Sequence, residues 1–215
     1  MNTTQKTFLF DFDGTLVDSM PTYVSTMLRI LDESNIPYDN SIVKIITPLG
    51  LVGTAKYYIS LGVNKTVEEI TEKMLTYMIE AYSTTVPAKK NVESTLKKLK
   101  EQGCDLNVLT ASPHTTLDVC LARLGIDNLF TNIWSCDDFG TTKADPNIYV
   151  EAAKRIGKDI SEIIFIDDNI NADKTAKSAG MRVYGIYDES SADYVDEMKK
   201  VCEKYIYDFS ELTQI

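Results

Sequence analysis

The apolar positions along the chain follow two different periodicities. A short apolar run at residues 7–10 indicates a buried strand, whereas from Ser19 to about Tyr82 the pattern is helical with little strand signal. Beyond Pro87 the chain alternates between helical stripes and short apolar runs. Strands that alternate with helices predict an α/β fold with a Rossmann-like, doubly wound parallel sheet. The long helical block predicts an insert after the first strand.

The insert carries its own helix signals. Ser19 is suited to cap a helix, with Pro21 early in its first turn. The stretch "TVEE" at residues 66–69 predicts a capping box that starts a second helix. The predicted domains are an α/β core over residues 1–15 and 86–215, and an inserted helical cap domain over residues 16–85.

The second part of the chain contains the other predicted strands. They are the stretches "DLNVLT", "TNIWSC", "EIIFI" and "MRVYGI", each separated from the next by a helical pattern. Asp145 and Pro146 are suited to the N-cap and the first turn of the helix that precedes "EIIFI". A weaker C-terminal unit follows the last of these strands.

Composition and charge exclude several classes of protein. The chain has 215 residues, 44% hydrophobic and 25% charged, and no apolar run approaches the roughly 18 residues of a membrane helix. The first ten residues lack the apolar segment of a signal peptide, so we expect a cytoplasmic protein. The net charge of -10 argues against a nucleic-acid partner. A small anionic substrate stays possible, and the sequence leaves monomer and homodimer open.

Three of the predicted strands end in acids or a hydroxyl, and a lysine, Lys143, precedes the helix after the strand at residues 131–136. Open α/β sheets bind ligands outside the carboxyl ends of their strands, so these side chains are expected at one edge. They are two acid pairs, a hydroxyl and an ammonium: Asp11 with Asp13, Asp167 with Asp168, Thr110, and Lys143. Their convergence predicts a site that handles negative charge with the help of a cation.

Four segments resemble the signature motifs of the haloacid dehalogenase-like hydrolases, in the order of that family. They read "DFDGT", "VLTAS", "KADPNIY" and "FIDDNINADKTAKSAGM". The nearest resemblance is to phosphoglycolate phosphatase-like and β-phosphoglucomutase-like members. The resemblance implies a Rossmann-like core, bound Mg²⁺ and an aspartyl-phosphate intermediate, and the helical insert resembles the family's cap of the first type.

The predicted metal site follows from the same residues. Mg²⁺ prefers oxygen ligands, and a carboxylate can approach a phosphate dianion only when a cation binds both. We expect Asp11, the backbone carbonyl of Asp13, and Asp167 or Asp168 to hold Mg²⁺. The fourth motif departs from the commonest family pattern, since Asp167 replaces a glycine and the later acid, Asp173, comes five residues after Asp168. Asp168 is therefore expected as a direct ligand, Asp167 as a ligand or close support, and Asp173 as outer support.

The resemblance also assigns catalytic roles. Asp11 would attack phosphorus, and Asp13 would protonate the departing alkoxide and later deprotonate the hydrolytic water. Gly14 would let the chain turn away without a Cβ that crowds the phosphate. The residues expected to bind the phosphate group are Gly14, Thr110, Ala111 and Lys143.

Three further residues are candidates for substrate recognition. Gly50 and Lys56 lie in the insert, and His114 follows Thr110 by four residues. Gly50 belongs to a loop that could face the active site, whereas Lys56 and His114 each have an ordinary alternative, as a solvated helix lysine and as an exposed residue in a helix's first turn.

The function expected from the sequence is a Mg²⁺-dependent phosphatase that acts on a small phosphorylated metabolite. Dehalogenases and phosphonate hydrolases of the family typically lack the second acid of the first motif, whereas Asp13 is present here. A phosphomutase of the β-phosphoglucomutase type uses the same acid pair and stays an alternative. A non-catalytic module that binds a metal or a partner protein is the alternative from another class.

Overall fold

The computed structural model describes residues 6–46 and 49–214. Within these ranges six parallel strands form one sheet, in the order β3-β2-β1-β4-β5-β6. The strands are β1 (Thr7–Phe10), β2 (Asp105–Thr110), β3 (Asn132–Ser135), β4 (Ile163–Asp167), β5 (Arg182–Ile186) and β6 (Lys204–Ile206). The strand order reverses beside β1: β2 and β3 are added on one side of β1, and β4, β5 and β6 are then added on its other side. The predicted Rossmann-like α/β sheet is confirmed, and its reversal point lies between β1 and β4.

The chain divides into two compact units. The first, which we call the core unit, consists of Met1–Asp18 and Pro87–Ile215, and the second, the helical unit, is Ser19–Val86. The helical unit contains α1 (Met20–Glu33), α2 (Ile42–Ile46), α3 (Gly50–Ser60) and α4 (Val67–Thr84). Its own core is built from buried side chains that include Met27, Leu31, Tyr58, Ile70 and Met74.

Two predicted helix starts in the helical unit have different outcomes. The capping box is confirmed: Thr66 Oγ1 accepts from the amide of Glu69 at 3.2 Å, and Glu69 Oε2 accepts from the amide of Thr66 at 2.7 Å. Helix α1 begins at Met20 as expected, but the prediction of a Ser19 side-chain cap is wrong. Ser19 has φ -94° and ψ -21°, and a capping side chain needs the extended backbone that Thr66 adopts.

The helices of the core unit pack against the sheet. They are α5 (Val92–Glu101), α6 (His114–Leu124), α7 (Asn147–Ile156), α8 (Ile170–Ala179) and α9 (Val195–Val201). Phe8, Leu9 and Phe10 of β1 are fully buried, as expected for a central parallel strand covered on both faces. Asp145 accepts from the amide of Asn147 at 2.9 Å at the start of α7. Among the described residues, no helix combines the length and the apolar character needed to cross a membrane.

Candidate active site

The segments that carry Asp11 and Asp167 meet because their strands, β1 and β4, are neighbours in the sheet. Phe10 of β1 pairs with Ile166 of β4, so Asp11 and Asp167 follow at the same level of the sheet. The amide of Asp11 donates to the carbonyl of Ile166 at 2.9 Å. Carboxylate oxygens of Asp11, Asp167 and Asp168 all lie within 4.8 Å of one another, and all three residues are buried. The structure therefore brings three of the predicted acids into one cluster.

Lys143 enters this cluster from the segment after β3. Its ammonium donates to a carboxylate oxygen of Asp11 and, at 2.8 Å, to Oδ2 of Asp167. Burial lowers the pKa of Lys143, but the negative charges and hydrogen bonds of the two acids outweigh burial and hold its pKa above the ordinary value. The ammonium of Lys143 therefore contacts Asp11 directly and keeps that carboxylate in place.

One ammonium does not balance three buried carboxylates. Burial raises the pKa of Asp11 to about 7, and the neighbouring charges of Asp167 and Asp13 add to this while Lys143 opposes it. Burial and the charges of Asp167 and Asp11 also raise the pKa of Asp168. Two negative charges stay uncompensated if all three acids ionise. Carboxylate oxygens are the preferred ligands of hard divalent cations, so the cluster fits a divalent metal ion.

The second acid of the first motif has a different partner. Asp13 accepts a hydrogen bond at Oδ2 from the hydroxyl of Ser112. The amide of Ser112 in turn donates to Thr110 Oγ1 at 3.1 Å, so Thr110 shapes the turn after β2, and Ala111 is exposed at the same turn. The contact of Ser112 with Asp13 was not predicted. The expected metal contact of Asp13 through its carbonyl oxygen stays a prediction.

Gly14 permits a very close approach of the chain to Asp168. Its φ is +74°, and a Cβ at this position would lie 2.5 Å from Oδ2 of Asp168. The next residue, Thr15, donates from its hydroxyl to Asp168 Oδ1 at 3.2 Å. The glycine is thus required by the acid cluster itself, in addition to the predicted clearance for a phosphate.

Asp173 lies in the first turn of α8 and is fully buried. The thiol of Cys202 donates to its Oδ2 at 3.2 Å, and its Oδ1 has no hydrogen-bond partner among residues 6–46 and 49–214. Burial and the charge of Asp167 raise the pKa of Asp173. Asp173 is outside the three-acid cluster, and its supporting role stays a prediction.

The three candidates for substrate recognition belong to two different units, His114 to the core unit and Gly50 and Lys56 to the helical unit. His114 binds Asp118 through Nδ1 at 2.9 Å and Asp138 through Nε2 at 2.8 Å, and these hydrogen bonds raise its pKa. Gly50 begins α3 with a φ of +63°, and Lys56 is exposed on the same helix. Both belong to the helical unit, and all three substrate roles stay predictions.

The chain was compared with known proteins. Residues 8–186 match the family model described as haloacid dehalogenase-like hydrolase. A pyrophosphatase PpaX from Bacillus velezensis is 29% identical over 179 residues, which cover 83% of this chain and 81% of that protein. A phosphoglycolate phosphatase from Haemophilus influenzae is 29% identical over 196 residues, which cover 86% of this chain and 87% of that protein. The crystal structure of a putative β-phosphoglucomutase from Thermotoga maritima has a TM-score of 0.84 at 19% identity, and the match covers 98% of this chain and 97% of that one.

Proposed function

Because this chain belongs to the haloacid dehalogenase-like hydrolase family, we propose that it is a Mg²⁺-dependent phosphatase of small phosphate monoesters that works through an aspartyl-phosphate. The family resemblance predicted from the four motifs is confirmed. The family and its phosphatase-named relatives also confirm the predicted enzyme class, a hydrolase of the phosphatase type. The metal's identity, the intermediate and the residue roles below are our proposal.

The observation that carries this proposal is the convergence of Lys143 with the three buried acids. Asp11, Asp167 and Asp168 offer the oxygens that would hold the metal, with the Asp13 carbonyl as a further ligand. Bound there, Mg²⁺ supplies positive charge that reduces the repulsion between Asp11 and a phosphate dianion.

Asp11 is the proposed nucleophile. One of its carboxylate oxygens forms a bond to phosphorus while the bond between phosphorus and the leaving alcohol breaks. Lys143 orients Asp11 before the attack and balances charge on the transferring group, as phosphoryl transfer requires. Thr110 and the exposed turn at Ala111 support binding of the phosphate oxygens.

Asp13 is the proposed general acid and base. It gives a proton to the departing alkoxide, and it later takes a proton from the water that attacks the aspartyl-phosphate and releases Asp11. The hydroxyl of Ser112 holds Asp13 at Oδ2, which fixes the direction of its carboxylate. A general acid and base must be held within hydrogen-bond reach of the proton that it transfers, and its pKa becomes important only when that condition is met.

The substrate class is proposed from the relatives. Phosphoglycolate, pyrophosphate and sugar phosphates form the first panel, since proteins similar to this chain are named for acting on the first two. A phosphomutase would use the same acids, and it differs in its product. Conversion of a sugar phosphate to its isomer without free phosphate would identify a mutase.

The test is phosphate release from this panel with Mg²⁺, with EDTA, and with two matched variants. Asp11→Asn should lose activity by roughly 10⁴-fold or more, because it removes the nucleophile and keeps the shape. Asp18→Asn alters an exposed acid in the same segment and should stay within about twofold of the wild type. Equal activity of Asp11→Asn and wild type would show that the nucleophile is another group. Failure of the wild type on every substrate of the panel, together with tight binding of a protein partner, would favour the non-catalytic alternative.

A further inference from the structure

Lys89 is a largely buried lysine of the core unit that lies outside the four motifs. Its side chain is 17% exposed. The ammonium donates to the backbone carbonyls of Gly14 and Tyr187, both at 2.6 Å, and to Oδ2 of Asp188 at 3.0 Å. An ammonium has three N–H donors, so each one is used.

These three contacts join two loops at the carboxyl edge of the sheet. Gly14 lies between Asp13 and Thr15 in the loop after β1, whereas Tyr187 and Asp188 follow directly after β5. Strand β4 lies between β1 and β5 in the sheet. Lys89 therefore connects the loops on the two sides of the strand that ends in the second acid pair.

The site around the ammonium is built for a positive charge. Asp188 is buried, and its other oxygen, Oδ1, accepts from the amide and the hydroxyl of Ser190 at 2.9 and 2.6 Å. Burial raises the pKa of Asp188, but the bonds from Ser190 and the charge of Lys89 outweigh it and lower its pKa. Two carbonyl oxygens and a carboxylate oxygen form the kind of ligand set that binds a monovalent cation.

Lys89 is not needed to attach the chain that returns from the helical unit. Backbone hydrogen bonds already do this, since the amide of Lys89 donates to Leu16 and the amide of Asp18 donates to Pro87, both at 3.0 Å. The side chain instead contacts the carbonyl of Gly14, next to the proposed acid and base and to the threonine that binds Asp168. The positive charge of Lys89 also lowers the pKa of Asp168, against the larger effect of burial, which raises it.

We infer that Lys89 is a positioning residue whose ammonium, as a tethered cation, holds the Gly14 carbonyl and thereby fixes the loop that carries Asp13 and Thr15. The inference rests on the proposed phosphatase function for its kinetic consequence. A misplacement of about 1 Å in such a loop can reduce turnover by about 10²-fold, while substrate binding through other groups is retained.

The kinetic test uses p-nitrophenyl phosphate with saturating Mg²⁺. Lys89→Met should lower kcat by about tenfold or more and change KM by less than about threefold. Lys90→Met is the matched control, because Lys90 is the adjacent lysine, 85% exposed, and should behave as the wild type. Lys89→Ala leaves room for a free cation, so ammonium or methylammonium should restore part of its kcat. Choline chloride at equal ionic strength should not restore kcat, because its cation has no N–H donors and is too large for the space left by the lysine.

A second measurement does not depend on activity. Hydrogen–deuterium exchange of the loop at residues 11–17 should be faster in Lys89→Met than in wild type, because the amides of Gly14, Leu16 and Val17 lose the support of a fixed loop. In Lys89→Ala, methylammonium should slow this exchange again. If the wild type hydrolyses nothing, the proposed function fails while the exchange result still decides the role of Lys89.

Asp188→Asn provides the same test with the lysine in place, should both Lys89 variants fail to fold. It removes the paired charge and should lower kcat by about threefold or more and speed exchange of the same loop. Unchanged kcat and unchanged loop exchange in a folded variant would overturn the inference, as would loss of activity in Lys89→Ala that no small ammonium ion restores.

Discussion

Lys143→Met tests whether the buried ammonium balances the acid cluster. Methionine keeps the length and most of the volume of the side chain but removes the charge and the hydrogen bonds to Asp11 and Asp167. The side chains of the lysine and these two acids are only 12%, 8% and 1% exposed, so water replaces little of what is lost. The variant would leave buried carboxylates without a partner.

The size of the effect follows from the geometry. A charge pair separated by the 2.8 Å between Lys143 and Asp167 attracts by about 6 kcal/mol at an effective dielectric constant of about 20. Desolvation offsets part of this attraction, and removal of one partner of a buried pair costs about 3–5 kcal/mol. For a chain of this size that corresponds to roughly 6–20 °C in Tm. Protonation of Asp11 limits the loss of stability in the variant, because the pKa of Asp11 is already raised to about 7 and a protonated Asp11 needs no cation beside it.

The assay is thermal unfolding of wild type and variant at pH 7.5, in EDTA and in Mg²⁺. In EDTA the variant should melt well below the wild type. Mg²⁺ at 100 times its Kd adds about 2.7 kcal/mol to stability, and it should raise the Tm of the variant at least as much as that of the wild type, because it takes over the charge balance.

Lys154→Met is the matched control for this assay. Lys154 is 70% exposed and lies 3.6 Å from Glu151, a surface pair worth at most about 1 kcal/mol. If Lys143→Met and Lys154→Met had the same Tm in EDTA, the ammonium of Lys143 would not be balancing buried charge, and the electrostatic account of the cluster would be refuted.

Two further changes test other parts of the structure. Gly14→Ala should lower kcat by about 10²-fold in steady-state kinetics and lower Tm more than Gly103→Ala does. Both glycines have positive φ, but an added Cβ would clash with Asp168 only at Gly14. Equal effects of the two substitutions would exclude the clash as the cause. Glu33→Gln should lower Tm at pH 7, because hydrogen bonds from Lys73 and Tyr77 lower the pKa of Glu33 from 4.5 to about 2. A lowered pKa adds stability above pH 4.5 that is lost as pH falls toward 2, so the Tm difference from wild type should shrink over that range, and a difference independent of pH would contradict this account.

Local signals allowed much of the fold to be predicted. The stretch "DLNVLT" coincides with β2 (Asp105–Thr110), because a buried parallel strand is a short apolar run and needs no distant information. The capping box of α4 depends on two residues three apart, so the sequence displays it completely. The cap at Ser19 failed because the backbone conformation before a helix is set by the surrounding chain, which residue type alone does not reveal.

The site was predictable where topology alone decides it. Parallel strands deliver their carboxyl ends to one edge, so the alternation of strands and helices along the chain is enough to place Asp11 and Asp167 at the same edge of the sheet. That the two acids lie side by side depends on the pairing of β1 with β4, which the sequence alone does not show. The contacts that sequence reasoning missed join distant residues. Ser112 and Asp13 are 99 positions apart, Thr15 and Asp168 are 153 apart, and Lys89 and Gly14 are 75 apart. No local periodicity encodes such pairs.

The two acids at the carboxyl end of β4, Asp167 and Asp168, differ in the hydrogen bonds that they accept. Side chains of adjacent strand residues point to opposite faces, but β4 ends at Asp167, so Asp168 can turn back toward the same volume. Both oxygens of Asp167 accept from protein donors: Oδ2 from Lys143 at 2.8 Å and Oδ1 from the amide of Asn169 at 2.7 Å. Asp168 accepts from Thr15 at Oδ1, and its Oδ2 is the atom nearest to the position that a Gly14 Cβ would take. We therefore propose that Asp168 is the stronger metal ligand of these two acids, and that Asp167, both of whose oxygens accept hydrogen bonds, makes a weaker contact with the metal while it fixes Lys143.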